Sequence, residues 1–430
     1  MISVKKSVKI LISIVLVLAL GAAGVFGYLY FSKDKSQNNP QEDTTNANNP
    51  VNTETVEFDR GNNVAEINGI SVIADETGVR IFNEADKTEK VIFDKAAENV
   101  FFNGKTAHFV EKEIEDTTVE LYDYDGEAVS QDVNGPWLRA KIHSYSLEAD
   151  KVAEIVTTNN NAFTKIVYVD DSAVYYTDWS DDKVGLTFIE EVTCPLYKYD
   201  FEKQASTLVL DKIYPFTCEV EEGKLFYQTE AYVKGDDGYH VLYAFDFKSG
   251  ESDKISEDEA QFLKLEGEKV YYIERKWGTE ASDEIEYKLM SNDLRGQKAE
   301  VTAELDFLPD ETRVFATYVN ENILAFTGRF DGVYTYNIKD GTFEHNGDGT
   351  ADYEVISNGT SAVLQKEYYS TEEEFIKTEL YRYDGTAEQE LIEESDEGSY
   401  ATKITENGVY VHYYEGSDYC GIKFIPLEIK

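Results

Sequence analysis

A short aromatic pattern recurs along this chain at nearly constant spacing, and it constrains the fold more than any other feature. The first clear copy reads Leu-Tyr-Lys-Tyr-Asp, and successive copies start 45 to 47 residues apart. The copies begin at Leu196, Leu242, Tyr287, Val333 and Leu380. A repeat of this length, built from strand-forming residues, is typical of β-propellers, in which each repeat forms one four-stranded blade. The sequence therefore predicts an all-β propeller.

A second pattern with the same period supports this prediction. It is a turn rich in Asn, Asp, Glu and Gly that precedes an apolar and aromatic strand. Its eight copies start at Asn68, Asn103, Asp170, Glu222, Glu266, Asn320, Asn358 and Asn407. Asn-Gly and related pairs adopt the positive φ angles of tight hairpins, so we expect them to join the first and second strands of each blade. The Leu-Tyr-x-Tyr-Asp copies are then third strands, and the turns predict about eight four-stranded blades within 55–430.

Two regions make the blade count less direct. An additional strand pair at 140–146 and 151–156 fits no single blade, which leaves seven or nine blades open. The segments 79–83 and 121–125 are the expected third strands of the first two blades. The last blade has only three predicted strands. We expect 55–59 to add the fourth, which would close the ring and remove exposed strand edges.

The N-terminal region has the pattern of a membrane anchor. Residues 10–31 carry no charge, and at about 1.5 Å per residue they are long enough to cross a bilayer as a single helix. Lysines precede this span within 1–9, and basic residues favour the cytoplasmic side. We therefore expect a short cytoplasmic tail, a transmembrane signal-anchor in the cell membrane, and an extracellular remainder. A cleaved signal peptide is the alternative, because small residues at 21–24 suit a peptidase.

The composition of the segment before the propeller predicts a linker, and the net charge limits the ligands that the chain can bind. Residues 32–54 contain Ser, Asn, Gln, Thr and Pro with almost no large apolar residue, which predicts a disordered linker. The chain has 84 acidic and 40 basic residues, a formal net charge of −44. Such a charge repels nucleic acid, anionic lipid headgroups and acidic polymers. Cations and neutral molecules remain open as ligands.

The cysteines and histidines indicate no metal site. Cys194, Cys218 and Cys420 have no CxxC or Cys/His spacing, so the sequence supports no zinc site. Cys194 and Cys218 could pair, because both are expected near neighbouring blades, but we expect separate, half-buried thiols. The five histidines are scattered without ligand spacing. We therefore predict no cofactor.

The Leu-Tyr-x-Tyr-Asp strands that follow Asn-Gly hairpins resemble those of a known group of bacterial proteins. These are membrane-anchored β-propellers of Gram-positive bacteria, of unknown function, grouped with low-density-lipoprotein-receptor-like (YWTD-type) propellers. The resemblance extends over about 55–430 and implies the propeller fold. True repeats of this type contain Tyr-Trp-Thr-Asp, and only Tyr175-Tyr176-Thr177-Asp178 comes close here. The resemblance implies no catalytic residues.

The candidate binding residues lie in the turns between second and third strands, which share one face of a propeller. This face combines aromatic side chains with carboxylates, a combination that suits neutral glycans and cationic peptides. The residues that we single out are Asp178, Trp179, Asp181, Tyr232, Trp277 and Tyr368. The alternative is that these are ordinary polar loops of an acidic protein.

No catalytic motif occurs in a context in which it could work, so a non-enzymatic role is the favoured hypothesis. The protein would be a surface-tethered propeller that binds a protein, peptide or glycan outside the cell. One alternative is an envelope enzyme that acts on glycan with carboxylate acid/base residues, because a fold does not determine a function. A scaffold for membrane-associated assembly is another.

Overall fold

The computed structural model describes residues 58–427 apart from internal gaps. The gaps are 123–127, 159–163, 179–183, 186–192, 216, 232–238, 278–284, 309–313, 329–331, 348–350, 370–374, 386–389, 397 and 416–417. All regular secondary structure in the described part is β-strand, which confirms the predicted all-β class. No helix in this part has the length and apolar character needed to cross a bilayer. The predicted tail (1–9), span (10–31) and linker (32–54) lie outside the described residues.

The strands form successive antiparallel units, which we call blades one to eight. Blade one contains β2 (Val64–Ile67), β3 (Ile70–Asp75), β4 (Gly78–Asn83) and β5 (Glu89–Phe93). Blade two contains β6 (Ala97–Phe102), β7 (Thr106–Tyr122), β8 (Ala128–Ser146) and β9 (Lys151–Thr157), joined by β1 (Asp59–Gly61) and β12 (Val184–Gly185). Blade three contains β10 (Ile166–Asp170), β11 (Ala173–Thr177), β13 (Cys194–Asp200) and β14 (Ala205–Ile213).

The remaining blades follow the same order. Blade four contains β15 (Glu219–Glu221), β16 (Lys224–Ala231), β17 (Tyr239–Asp246) and the first half of β18 (Ser252–Glu266). Blade five contains the second half of β18, then β19 (Lys269–Trp277), β20 (Ile285–Asp293) and β21 (Glu300–Glu304). Blade six contains β22 (Phe315–Asn320), β23 (Ile323–Thr327), β24 (Val333–Asn337) and β25 (Thr342–Asn346). Blade seven contains β26 (Ala351–Ser357), β27 (Ala362–Tyr369), β28 (Phe375–Tyr383) and β29 (Glu390–Ser395), and blade eight contains β30 (Ser399–Ile404), β31 (Gly408–Glu415) and β32 (Asp418–Pro426).

The long strand β18 joins blades four and five into one continuous sheet. Its first half pairs with β17, and from Glu259 onward it pairs with β19. Elsewhere the first strands of neighbouring blades contact each other, as β22 does with β26 and β26 with β30. The first strands therefore surround a common centre, and the second to fourth strands lie progressively further out.

Contacts between blades one and eight close the ring. The Arg80 guanidinium of blade one donates a hydrogen bond to the Ile422 carbonyl of blade eight at 2.9 Å. The Tyr410 hydroxyl and the Asn407 amide of blade eight both donate to the Glu84 carboxylate, each at 2.8 Å. The described residues thus form an all-β, propeller-like ring.

The predicted turns and third strands are found where the sequence placed them. All eight turn copies join the first and second strands of a blade, and the five Leu-Tyr-x-Tyr-Asp copies lie in β13, β17, β20, β24 and β28. Positive φ angles at Gly104 (79°) and Gly359 (84°) explain why these turns need glycine. The segment 79–83 is the third strand of blade one, as predicted.

The prediction for blade two was wrong. Leu121 and Tyr122 end the second strand, β7, whereas the third strand is β8. The strand pair at 140–146 and 151–156 is the blade's own third and fourth strands. The register explains the error, because β7 and β8 pair far beyond Glu111 and Lys141, where their neighbours β6 and β9 end. We call this extension the arm.

The segment 55–59, predicted to complete the last blade, is described only from Phe58 onward, and for that part the prediction was wrong. Strand β1 instead pairs with β6, the first strand of blade two, with Asp59 opposite Phe102 and Gly61 opposite Val100. Its side chains reach other first strands: Lys403 of β30 contacts the Asp59 carboxylate, and Arg60 pairs with Glu219 of β15. Opposite charges on β15 and β30 therefore hold β1 in the centre of the ring.

Apolar clusters between blades provide the core. One cluster joins blades two to four through Ile142, Val174 and Leu225, which are fully buried. Another joins blades six and seven through Ala325 and Leu364. Each blade is buried against a neighbour on both faces, which explains why its strands carry apolar residues on both faces.

Candidate functional site

The predicted site residues occupy equivalent positions in different blades. Asp178 follows β11 directly and is only 6% exposed, Trp277 is the last residue of β19, and Tyr368 lies next to the end of β27. All three therefore lie where second strands end, on the face of the ring opposite the first-to-second turns. They belong to blades three, five and seven, so the structure does not place them in one sheet. Trp179, Asp181 and Tyr232 lie outside the described residues.

Tyr368 belongs to a satisfied hydrogen-bond network. Its hydroxyl donates to the Glu379 carboxylate at 2.8 Å, and the Tyr381 hydroxyl donates to the same oxygen at 2.7 Å. The Lys377 ammonium donates to the other oxygen at 2.5 Å. Burial by itself raises the pKa of Glu379, but these hydrogen bonds outweigh it and lower the pKa to about 2. These hydrogen bonds occupy both oxygens of the Glu379 carboxylate. The network therefore contributes to structure and does not offer this carboxylate to a ligand.

The opposite side of β27 faces blade eight and carries a different set of groups. The Glu367 carboxylate accepts hydrogen bonds from the Gln365 amide at 2.8 Å and from the Tyr369 hydroxyl at 2.7 Å. Gln365 is buried, and its own oxygen accepts from the Ala401 backbone N–H of β30 at 3.0 Å. The Gln365 side chain thus links blade seven to blade eight and also holds Glu367.

Two more carboxylates lie on this side, on the neighbouring first strand. The register of β26 and β27 pairs Asp352 with Glu367 and Glu354 with Gln365, so these side chains share a face. Glu354 keeps contact with water although protein surrounds it, as expected for a side chain that lines the narrow centre of the ring. Burial, and then the charge of Glu367, raises the pKa of Glu354 to about 7.

Aromatic side chains border these carboxylates. Tyr369 is 40% exposed, and burial followed by the charge of Glu367 raises the pKa of Tyr400 to about 12. Tyr414 meets Tyr400 edge to face, with ring centroids 6.2 Å apart. We call Asp352, Glu354, Glu367, Tyr369 and Tyr400 the mouth cluster.

None of the residues singled out from the sequence belongs to this cluster, because those residues were sought only in the turns between second and third strands. The signal was nevertheless present, since acidic residues alternate with apolar ones in Asp352-Tyr353-Glu354-Val355 on a first strand. Such alternation on a strand at the centre of a ring indicates side chains that face water in the channel. No group of three or more His, Cys, Asp or Glu side chains in the described ranges has an arrangement that could hold a metal ion.

Comparison with known proteins gives structural similarity only. No protein-family model and no curated protein matches the chain. The β-propeller domain of the Trilobed protease from Pyrococcus furiosus is similar over 77% of this chain and 98% of its own, with 14% identity and a TM-score of 0.44. The computationally designed Ika8 protein covers 87% of this chain and 98% of its own, with 10% identity and a TM-score of 0.46. Pyrococcus horikoshii acylaminoacyl peptidase matches with 13% identity and a TM-score of 0.45, and the match spans 85% of this chain and 59% of the peptidase.

Proposed function

We propose that the protein is a binding propeller that takes a cationic ligand at the mouth cluster. The observation that supports this most is that Asp352, Glu354 and Glu367 share one face of β26 and β27, where burial and then the charge of Glu367 raise the pKa of Glu354 to about 7. A bound ammonium or guanidinium group would favour the ionised form of this carboxyl. The exposed ring of Tyr369 adds an aromatic face on which a cation can lie.

The charge balance of the cluster supports the same function. Within the described ranges, no lysine or arginine forms an ion pair with Asp352, Glu354 or Glu367. Glu379, on the other side of the same blade, does have such a partner in Lys377. A ligand that supplies positive charge would complete the cluster, and the net charge of −44 would attract it from a distance.

Calorimetric titration with a tetra-arginine peptide tests this function. Because the peptide favours ionised Glu354, we expect it to bind more tightly at about pH 8 than at about pH 6 and to release protons on binding. Glu354→Gln should weaken binding roughly tenfold and remove the pH dependence. Equal affinity in the native protein and this variant would contradict the proposed site.

Two controls separate the site from general attraction to an acidic protein. A tetra-citrulline peptide has nearly the same shape without the charge and should not bind. Glu202→Gln removes one exposed carboxylate far from the cluster and should leave the affinity unchanged. If both Gln substitutions weaken binding equally, the peptide is held by net charge alone.

A second candidate function is carboxylate catalysis on a glycan. A general acid works best when its pKa lies near the working pH, and Glu354, at about 7, meets this condition beside a second carboxylate, Glu367. Incubation of the protein with neutral polysaccharides, followed by reducing-end analysis, tests it. Product that forms in the native protein and disappears in Glu354→Gln would favour catalysis over binding.

We also propose that residues 10–31 hold the propeller on the outer side of the cell membrane, as in the membrane-anchored bacterial propellers that the sequence resembles. The uncharged span behind the lysines of 1–9 supports this location. Mass spectrometry of the native protein should find the N-terminal segment intact in the membrane fraction. A mature N-terminus near 22–24 would show cleavage instead.

A further inference from the structure

A furrow on the outer rim, far from the mouth cluster, lies between blades five and six. Two adjoining cavities, of about 380 and 550 Å³, share Glu304 and Asp306 and so form one continuous depression. Strand β21 and the turn after it line both cavities. Strand β20 completes the first cavity, and the hairpin of β24 and β25 completes the second. This combined size is in the range of pockets that bind small molecules or short oligomers.

One end of the furrow is a stack of aromatic rings. Phe307 lies parallel to Phe343, with centroids 4.6 Å apart and planes 4° apart, and it also stacks on Tyr336 at 5.8 Å. Phe343 is 55% exposed, so much of the stack remains open to solvent. The tight turn at Gly341, with φ of 72°, lets β25 bring Phe343 onto Phe307. A large, flat, exposed aromatic surface is costly to keep in water and is typical of binding sites.

The other end of the furrow presents hydrogen-bonding groups of both kinds. Glu304 and Asp306 provide carboxylate acceptors, and the Lys288 ammonium, 3.3 Å from Glu304, provides donors. The turn that carries Asp306 is fixed, because the Leu305 N–H donates to the Tyr287 carbonyl at 3.1 Å and the Leu308 N–H to the Leu305 carbonyl at 3.0 Å. The backbone that carries Asp306 is therefore held beside the aromatic stack.

We infer that this furrow binds a neutral oligosaccharide. The C–H face of a sugar ring packs on an aromatic face, while its hydroxyl groups donate to carboxylates and accept from an ammonium group. An acidic polymer would be repelled by Glu286, Glu304 and Asp306 and by the net charge of −44. A cationic ligand fits less well, because Lys288 already neutralises Glu304. The inference is independent of the function proposed for the mouth cluster.

Titration of the full chain with cellohexaose, maltohexaose and acetylated chitohexaose tests the furrow. We expect at least one of these oligosaccharides to bind, with an affinity that added salt leaves unchanged. Phe343→Ser removes the exposed face of the stack, and Asp306→Asn removes one acceptor. Each should weaken binding roughly tenfold or more. Both residues are exposed, so neither change should unfold the protein.

Val91→Ser is the matched control, since Val91 is a 61% exposed apolar residue on the fourth strand of another blade. It should bind like the native protein. Glu202→Gln, which removes an exposed carboxylate of blade three, should also bind normally. The inference is overturned if none of the three oligosaccharides binds, if binding survives Phe343→Ser, or if Val91→Ser loses binding equally.

Discussion

Glu354 is the residue whose chemistry the fold changes most clearly. In the unfolded chain its pKa is near 4.5, whereas burial and Glu367 raise it to about 7 in the folded protein. Folding therefore favours the protonated carboxyl. The stability that this preference provides is complete below about pH 4.5 and is lost as the pH rises through about 7.

Glu354→Gln should remove this pH dependence. We expect the variant and the native protein to have similar melting temperatures near pH 5, and the variant to melt a few degrees higher near pH 8. Differential scanning calorimetry across this range measures the difference. Glu202→Gln, which removes an exposed charge, controls for net charge. A Glu354→Gln variant that melts below the native protein at every pH would contradict the prediction.

Arg275 is a fully buried charge at the end of blade five. Its guanidinium donates to the Glu259 carboxylate and to the Gln261 oxygen, each at 3.1 Å, and to the Val314 carbonyl at 2.5 Å. Removal of one partner of a buried ion pair leaves the other charge desolvated and unpaired. The pair therefore fixes how β18, β19 and the segment before β22 meet.

We expect Arg275→Met to lower the free energy of unfolding by about 3 kcal/mol or more, because the buried Glu259 carboxylate would lose the Arg275 guanidinium. Urea denaturation measures this loss. The double variant with Glu259→Met should recover part of it, since no buried charge then remains. A single variant within about 1 kcal/mol of the native protein would show that water replaces the pair at little cost.

At the level of elements, the arm is the part of the structure that least resembles a blade. Beyond Lys112 and Ala140, β7 and β8 pair with each other, and among the described residues the only other strand paired with them there is β12, near the tip. Phe109 and Ile142, both fully buried, lie on the same two strands before this point, where β6 and β9 flank them. Because the backbone pairing of the arm is mostly between its own two strands, we expect it to contribute little to the stability of the ring.

Replacement of 115–137 by Asn-Gly tests this separation. Ile114 and Leu138 face each other across the hairpin, so a two-residue turn can join them. We expect a soluble protein with a melting temperature within a few degrees of the native one, measured by circular dichroism. Aggregation or a large drop in melting temperature would show that the arm is part of the folding core. Binding of tetra-arginine to this variant would also show whether the arm takes part in the mouth site.

The elements that the sequence predicted are those that local chemistry determines. A turn such as Asn103-Gly104 requires positive φ, and alternation in a third strand follows from burial on both faces. The errors concern partners that are distant in sequence or pairings of unusual length. Strand β1 joins β6 because of Lys403 and Glu219, which lie far along the chain. The candidate site shows the same limit, since Glu367 and Tyr400 come together only through the packing of two blades.

For the whole molecule, closure depends on blade eight. Arg80 bonds to Ile422, and Glu84 accepts from Tyr410 and Asn407, so blade one is held by the last two strands and the turn before them. Deletion of 411–430 would remove most of β31 and all of β32. It would also leave two blades with open sides and apolar surface in water.

We expect this truncated chain to aggregate or to melt at a much lower temperature. Size-exclusion chromatography with light scattering, together with thermal denaturation, measures both outcomes. A chain that ends at Leu427 retains β32 and serves as the control. A soluble monomeric truncation with an unchanged melting temperature would show that the ring does not need its last blade.

The central position of β1 has a mechanical consequence. The chain enters the ring beside Phe102, at the face of the first-to-second turns, and runs along the axis before it turns into β2. Tension on the chain ahead of Phe58 therefore pulls β1 lengthwise along β6 and loads its three residue pairs together. The contacts of Lys403 and Arg60 resist the same movement. Under force, β1 should therefore separate from β6 and leave the centre of the ring before any blade unfolds.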